Sequence, residues 1–146
     1  MKIRDYEFPD DLYYDRYHGW ARLEGNKITT GITDFAQKLA GEIVYIALPA
    51  RNRTLERDKP YVSLESGKWV GRVNSPVAGK VLRVNTELED DPAPLNDDPY
   101  GEGWIAEIEM AEPASTEAFM RTGPDLEAFI QSEIDRIEQE KAEREK

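Results

Sequence analysis

One stretch constrains this chain more than any other: Pro60 to Val84, PYVSLESGKWVGRVNSPVAGKVLRV. It predicts two short strands that close on Glu65-Ser66-Gly67-Lys68-Trp69 and, after a Ser75-Pro76-Val77-Ala78-Gly79 turn, a third strand. Alternating apolar residues on both sides of a glycine-containing break are a hairpin signal. Lys68 falls at the tip, beside a glycine that gives the backbone the freedom a tight turn wants. Trp69 is an unusual neighbour for a purely solvated tip. A lysine lifted on a stiff β-loop can be reached by a modifying enzyme and can carry a group between sites. The plainer reading, a solubilising surface charge, holds for nearly every other lysine in the chain.

The remaining elements follow from the same kind of signal. Residues 1 to 15, with Pro9 and Tyr6, Tyr13 and Tyr14, read as an extended arm lying on the body. Tyr17 to Leu23 fits a strand, Gly25-Asn26 a turn, and Lys27 to Ile32 its hairpin partner. Thr33 or Asp34 can cap a short helix from Phe35 to Leu39, which Gly41 ends. Gly41 to Leu48, rich in β-branched and aromatic residues, predicts a strand stopped by Pro49. Ala50 to Lys59 is polar and reads as a connection. The pair Gly41-Glu-Ile-Val-Tyr-Ile and Gly79-Lys-Val-Leu-Arg-Val is a weak internal echo, which would suit two related sheets facing each other. Glu87 to Gly103, with three prolines and many acids, predicts turns. Trp104 to Met110 alternates as the last strand. Ser115 or Thr116 can cap a short helix through Phe119. Leu126, Phe129, Ile130, Ile134 and Ile137 form one helical stripe that predicts a helix covering the sandwich, with a solvated and frayed end from Glu138. The expected division is 1-122 as the main domain with its arm, and 123-146 as a helix packed on it.

Composition narrows the chemistry. Thirty acidic residues against 19 basic ones give a net charge of −11. Such a surface repels phosphate backbones and anionic bilayers, so neither nucleic acid nor membrane is an expected partner. No cysteine is present, which removes disulfides, thiolate nucleophiles and zinc–cysteine sites. No run approaches the roughly 18 apolar residues of a membrane span, and the N-terminus lacks a signal-peptide pattern. A cytoplasmic protein is the expectation.

Few catalytic constellations survive. His18 is the sole histidine and reads as a packing or surface residue rather than a base. Ser63 or Ser66 could pair with it as a nucleophile, but no Gly-x-Ser-x-Gly turn supports a hydrolase. The acids of Glu89-Asp90-Asp91 and Asn96-Asp97-Asp98 lack the spacing of a calcium loop. Gly101-Glu-Gly103 opens no helix and is not a phosphate loop.

Several blocks in order are similar to the glycine-cleavage H-protein family of lipoyl carriers: Gly31-Ile-Thr-Asp-Phe-Ala-Gln37, Gly41-Glu-Ile-Val-Tyr45, Glu65-Ser66-x-Lys68, Ser75-Pro-Val-Ala-Gly79 and Asn96-Asp-Asp-Pro-Tyr-Gly-Glu-Gly-Trp104. The resemblance runs from about His18 to Ile130. It implies a mainly β fold, a flattened barrel or sandwich of the biotinyl/lipoyl-carrier type with a short internal helix and C-terminal helices. It implies lipoate in amide linkage to Lys68, in a hairpin context of Glu65, Ser66, Gly67 and Trp69. It also implies a carrier that itself catalyses nothing, shuttling a sulfur-bound intermediate between enzymes. A lipoate-protein ligase or an octanoyl/lipoyl transferase would attach the arm. Glycine-cleavage H proteins usually show Glu-Ser-Val-Lys-Ala followed by small and acidic residues, whereas Trp69 and Arg72 stand here. That departure favours an H-like carrier serving sulfur oxidation with a heterodisulfide-reductase-like complex. The alternative is the glycine-cleavage carrier itself, working with glycine decarboxylase, aminomethyltransferase and dihydrolipoamide dehydrogenase. A biotin carrier would resemble Met-Lys-Met at the tip. A non-lipoylated interaction module would keep its activity without Lys68.

Overall fold

In the computed structural model, residues 1–112 and 119–145 are described. The N-terminal arm forms a small ribbon of β1 (Lys2–Ile3) and β2 (Tyr6–Glu7). A six-stranded antiparallel sheet runs in the order β3 (Tyr13–Tyr14), β4 (Gly19–Glu24), β5 (Lys27–Ile32), β11 (Ala106–Met110), β10 (Gly79–Val84) and β7 (Thr54–Leu55). A three-stranded sheet places β8 (Pro60–Ser66) between β6 (Ile43–Ala47) and β9 (Val70–Asn74). Ile28, Val81 and Ile108 from the larger sheet meet Ile46, Leu64 and Val73 from the smaller one in one apolar cluster. Alternation explains why these strands form. In β11, Ala106, Ile108 and Met110 point inward while Glu109 faces out, and each fully buried aliphatic contributes about 1.5–3 kcal/mol.

A second cluster joins the two ends of the chain. Ile3, Phe8 and Leu12 of the arm, with Trp20 and Phe35, receive Leu126, Ile130 and Ile134 of α4 (Pro124–Arg144). The apolar stripe of that helix therefore covers the N-terminal arm more than the sandwich. The arm is also tied by polar contacts. Asp34 Oδ2 accepts Glu7 N at 3.0 Å, and the Tyr100 hydroxyl donates to Glu7 O at 2.6 Å while accepting Asp34 N at 2.9 Å.

Several expectations need correction. Tyr17 and His18 lie in the turn before β4 rather than in the strand, because Asp15 Oδ1 accepts the amides of Tyr17 and Gly19 at 2.7 and 3.1 Å. Gly41 stands outside β6, which begins at Ile43. The polar connection 50–59 contains β7, recruited by pairing Thr54 with Lys80 and Leu55 with Gly79. The supposed turns of 87–103 include two single-turn helices, α2 (Glu87–Asp90) and α3 (Pro94–Asp97), which bury Leu88 and Leu95. The echoed segments fall in different sheets, but those sheets are unequal, three strands against six. The strand at 106–110 is last in sequence and interior in the sheet. The helix end is solvated but not frayed before Arg144: good helix formers fill it, and Arg136 bridges Glu140 one turn on at 3.1 Å. The cap at Ser115 or Thr116 lies outside the described residues.

Candidate carrier site

The hairpin β8–β9 leaves three residues, Gly67, Lys68 and Trp69, in its loop. Register fixes them: Glu65 pairs with Val70 across the turn, and Ser66 N donates to Trp69 O at 2.8 Å. Ser66 is buried and its hydroxyl accepts the Lys68 amide at 3.4 Å. Glu65 faces outward between Tyr45 and Val70. Lys68 is exposed and makes no ion pair among the described residues. The amino group is where a modifying enzyme can reach it.

Gly67 is not the glycine that this geometry requires. Its φ is not positive, and a Cβ there would meet nothing within 4 Å. The demanding positions are its neighbours in space. Gly71 lies under the Trp69 ring, so a Cβ would run into the indole. Trp69 braces the hairpin while remaining 41% exposed. Gly41, which ends α1 (Asp34–Ala40) with its amide on Gln37 O, has φ +80°, and its Cβ would sit 2.8 Å from Lys68 Cε. The lysine stem therefore runs over the end of α1.

Asn96 sets that position. Its Oδ1 accepts Ile43 N at 2.9 Å, and its Nδ2 donates to Gly41 O at 2.8 Å and Gln37 Oε1 at 3.0 Å. One side chain thus ties the end of α1 to the start of β6. In the sequence Asn96 stands in an acidic turn and opens one of the family-like blocks, with nothing to show this role. Nothing in one sequence reveals that residues 41 and 68, or 41 and 96, touch.

A groove of about 660 Å³ opens beside the lysine. The hairpin contributes Lys68, Trp69 and Arg72, and α1 contributes Ala36, Leu39 and Ala40. The turn before β4 adds Arg16 and His18, and one face of α4 adds Glu133, Arg136, Ile137, Glu140 and Arg144. The groove has an apolar floor near the lysine and charged walls further along α4.

His18 is a packing residue. Its ring stacks on Phe129 at 5.5 Å between centroids and tilts against Phe35 at 4.9 Å. Nε2 meets Glu133 Oε1 at 2.9 Å, and Nδ1 is buried without a partner. Burial lowers its pKa from 6.5, outweighing the pull of Glu133. Among the described residues His18 hydrogen-bonds to Glu133 and to neither Ser63 nor Ser66, whose hydroxyl bonds to Trp69 O. Among the described residues no group of His, Asp and Glu is poised to hold a metal ion. Asp91 and Asp98 instead accept the amides of Ala93 and Glu102 at 3.0 and 2.9 Å. No described helix is long and apolar enough to cross a membrane.

An antiparallel sandwich that lifts an unpaired lysine beside an open groove is the build of a protein that carries a group on a side-chain tether. The glycine cleavage H-protein family matches residues 12–133, and the chain belongs to that family. As a member it is a carrier protein, not an enzyme. It is similar to the glycine cleavage system H protein of Rubrobacter xylanophilus, 45% identical over 106 residues, 73% of this chain and 84% of the relative. It is also similar to glycine cleavage system H protein 4 of Aquifex aeolicus, 38% identical over 141 residues, 97% of this chain and 82% of the relative. Among solved structures, a glycine cleavage system H protein from Mycobacterium marinum superposes with a TM-score of 0.72 at 27% identity, covering 79% of this chain and 93% of that one.

Proposed function

We propose that Lys68 carries lipoate in amide linkage and that the chain shuttles a sulfur-bound cargo between partner enzymes. The observation that supports this is the exposed, unpaired amino group on a braced hairpin, in a chain of this family. The residues around it fit such an arm. Gly41 leaves room for the lysine stem, Ser66 pins the loop, and Leu39, Ala40 and Trp69 offer an apolar bed for a hydrocarbon chain. Bound lipoate supplies the thiol chemistry that a chain without cysteine lacks. Tethering raises the local concentration of cargo at each partner's site.

The cargo best supported by the named relatives is the aminomethyl group of glycine cleavage, with glycine decarboxylase, aminomethyltransferase and dihydrolipoamide dehydrogenase as partners. Glu65, Gly67 and Trp69, on a loop held by the buried Ser66, form the surface that a lipoate-protein ligase or an octanoyl/lipoyl transferase meets. Residues 1–122 act as the lipoyl domain with its arm, 123–146 as the helix packed on it, in the cytoplasm. One observation favours a second reading, sulfur carriage to a heterodisulfide-reductase-like complex: Trp69 and Arg72 flank the lysine where glycine-cleavage carriers hold small and acidic residues. None of the relatives named above is described as a sulfur carrier.

Intact mass of natively produced protein tests the attachment. One lipoyl adduct is expected, absent in Lys68→Arg; unmodified native protein overturns it. Reconstitution with the glycine-cleavage partners then tests the cargo, and glycine turnover that survives Lys68→Arg would point to a plain interaction module.

A further inference from the structure

The outer face of the three-stranded sheet breaks a pattern that one-sided burial imposes. Outward positions of a sheet packed on one side only are normally polar. Here the row that crosses β6, β8 and β9 next to the hairpin turn is Tyr45, Glu65 and Val70. Its two apolar members are 52% and 70% exposed, and Val44, at the irregularity before Tyr45, is 58% exposed. None of the three is part of the apolar clusters of the body. Glu65 forms no ion pair among the described residues. Single exposed apolar residues are ordinary, but a group of them at one spot marks an interaction surface.

We propose that Val44, Tyr45 and Val70 dock the enzyme that acylates Lys68, through an apolar contact with a cationic rim on the enzyme. The proposal rests on reading Lys68 as the carrier residue. Proximity selects this occupant. A catalyst that acts on the amino group itself must bring its reacting carbon to Nζ, and its body then covers the residues flanking the turn. An enzyme that works at the far end of a long acyl arm has no such need. The other side of the hairpin is less open: the Lys68 stem runs over Gly41, Trp69 covers Gly71, and α1 and α4 wall the groove. Charge selects the rim. Glu65 lies within the row and Glu42 is exposed just before β6, on a chain of net charge −11, so a cationic partner is steered in. Arg72 belongs to the next row, with Ala47 and Ser63. A patch this small suits a transient encounter, which a carrier needs in order to leave once modified. In the docked pair the neutral Nζ attacks an acyl adenylate; the amide C–N bond forms, AMP leaves and the nitrogen loses a proton. The face contributes binding to that step and no chemistry.

The test is acylation of the unmodified full chain by a lipoate-protein ligase with lipoate and ATP, followed by intact mass. Tyr45→Thr with Val70→Thr removes the apolar contact and keeps β-branched side chains suited to strands; the urea midpoint checks that the variant folds. Its kcat/KM should fall at least tenfold, through KM with kcat unchanged. Leu23→Thr, which removes an exposed apolar side chain on the larger sheet, should leave both constants as they are. In the parent, KM should rise with added sodium chloride. Unchanged kcat/KM in the double variant, an equal loss in Leu23→Thr, or a KM indifferent to salt overturns the docking. Normal acylation of the double variant with loss of glycine turnover would assign the face to a later partner. A parent dimer in sedimentation that the double variant abolishes would assign it to a second copy. Either result overturns the proposal. A parent chain that is acylated while the double variant acylates equally well refutes the docking face alone, whereas a parent never acylated refutes the carrier reading itself.

Discussion

Gly41 and Lys68, 27 positions apart, are in contact: the backbone of the glycine supports the stem of the lysine, and a Cβ at 41 would lie 2.8 Å from Lys68 Cε and 3.4 Å from Nζ. At φ +80° Gly41 also holds a conformation that side-chain-bearing residues rarely adopt. Gly41→Ala should therefore lower stability in urea by about 1–3 kcal/mol and reduce the fraction of native protein modified at Lys68. Gly67→Ala is the contrast. It adds a methyl to open space without a positive φ, so stability should change by less than about 1 kcal/mol. Equal losses in the two variants would contradict this assignment of roles.

Asn96 places Gly41, so its removal should act at a distance. Asn96→Ala deletes one accepted and two donated bonds and leaves Ile43 N and Gly41 O without their partner. A loss of about 2 kcal/mol is expected. Asn96→Asp should be no milder, since it turns a carboxylate oxygen toward Gly41 O and Gln37 Oε1. A urea midpoint unchanged in both variants would show that the clamp is dispensable.

These contacts mark where the sequence stops being legible. Strands with clean alternation, such as Lys27–Ile32 and Ala106–Met110, could be read because burial on one face imposes a period of two. Thr33 and Gly41 bounded their helix because caps are local chemistry, and Lys68 stood out because a hairpin is local too. β7 escaped because two residues gain strand geometry only from the partner they find. α2 and α3 escaped because single turns carry no period, and each is held by one buried leucine. Gly41 against Lys68, Asn96 against Gly41 and the arginine-walled groove are long-range, and no periodicity encodes them.

Asp15 is buried and forms no ion pair among the described residues, and burial pushes its pKa from 3.8 up to about 6 against the pull of the Gly19 and Tyr17 amides. The folded protein therefore holds a proton that the unfolded chain releases between about pH 4 and 6. That contribution is fully present below 3.8 and is lost as pH rises through about 6, a change of about 3 kcal/mol. Asp15→Asn can keep both bonds through Oδ1 and abolish the titration. Its stability relative to the parent should rise by roughly 2–3 kcal/mol between pH 4 and 7.5, measured by urea unfolding at the two values. A difference independent of pH would rule out a raised pKa for Asp15 in the fold.

His18 tests the latch between the β-body and α4 by a cleaner route, because no other histidine contributes to the spectrum. Burial disfavours the imidazolium, while Glu133 and its hydrogen bond favour it, and burial dominates. The ring should titrate below 6.5. By linkage, its contribution to stability is present above 6.5 and lost as pH falls through the lower folded value. Glu133→Gln removes the one nearby group that supports the charged form but leaves the stacking on Phe129 and Phe35. The His18 pKa should then fall further, as read from the C2 proton of the ring. A rise would mean that the carboxylate is not facing Nε2 in solution, and that α4 is held to the body by its apolar face and the Phe129 stacking without that polar latch.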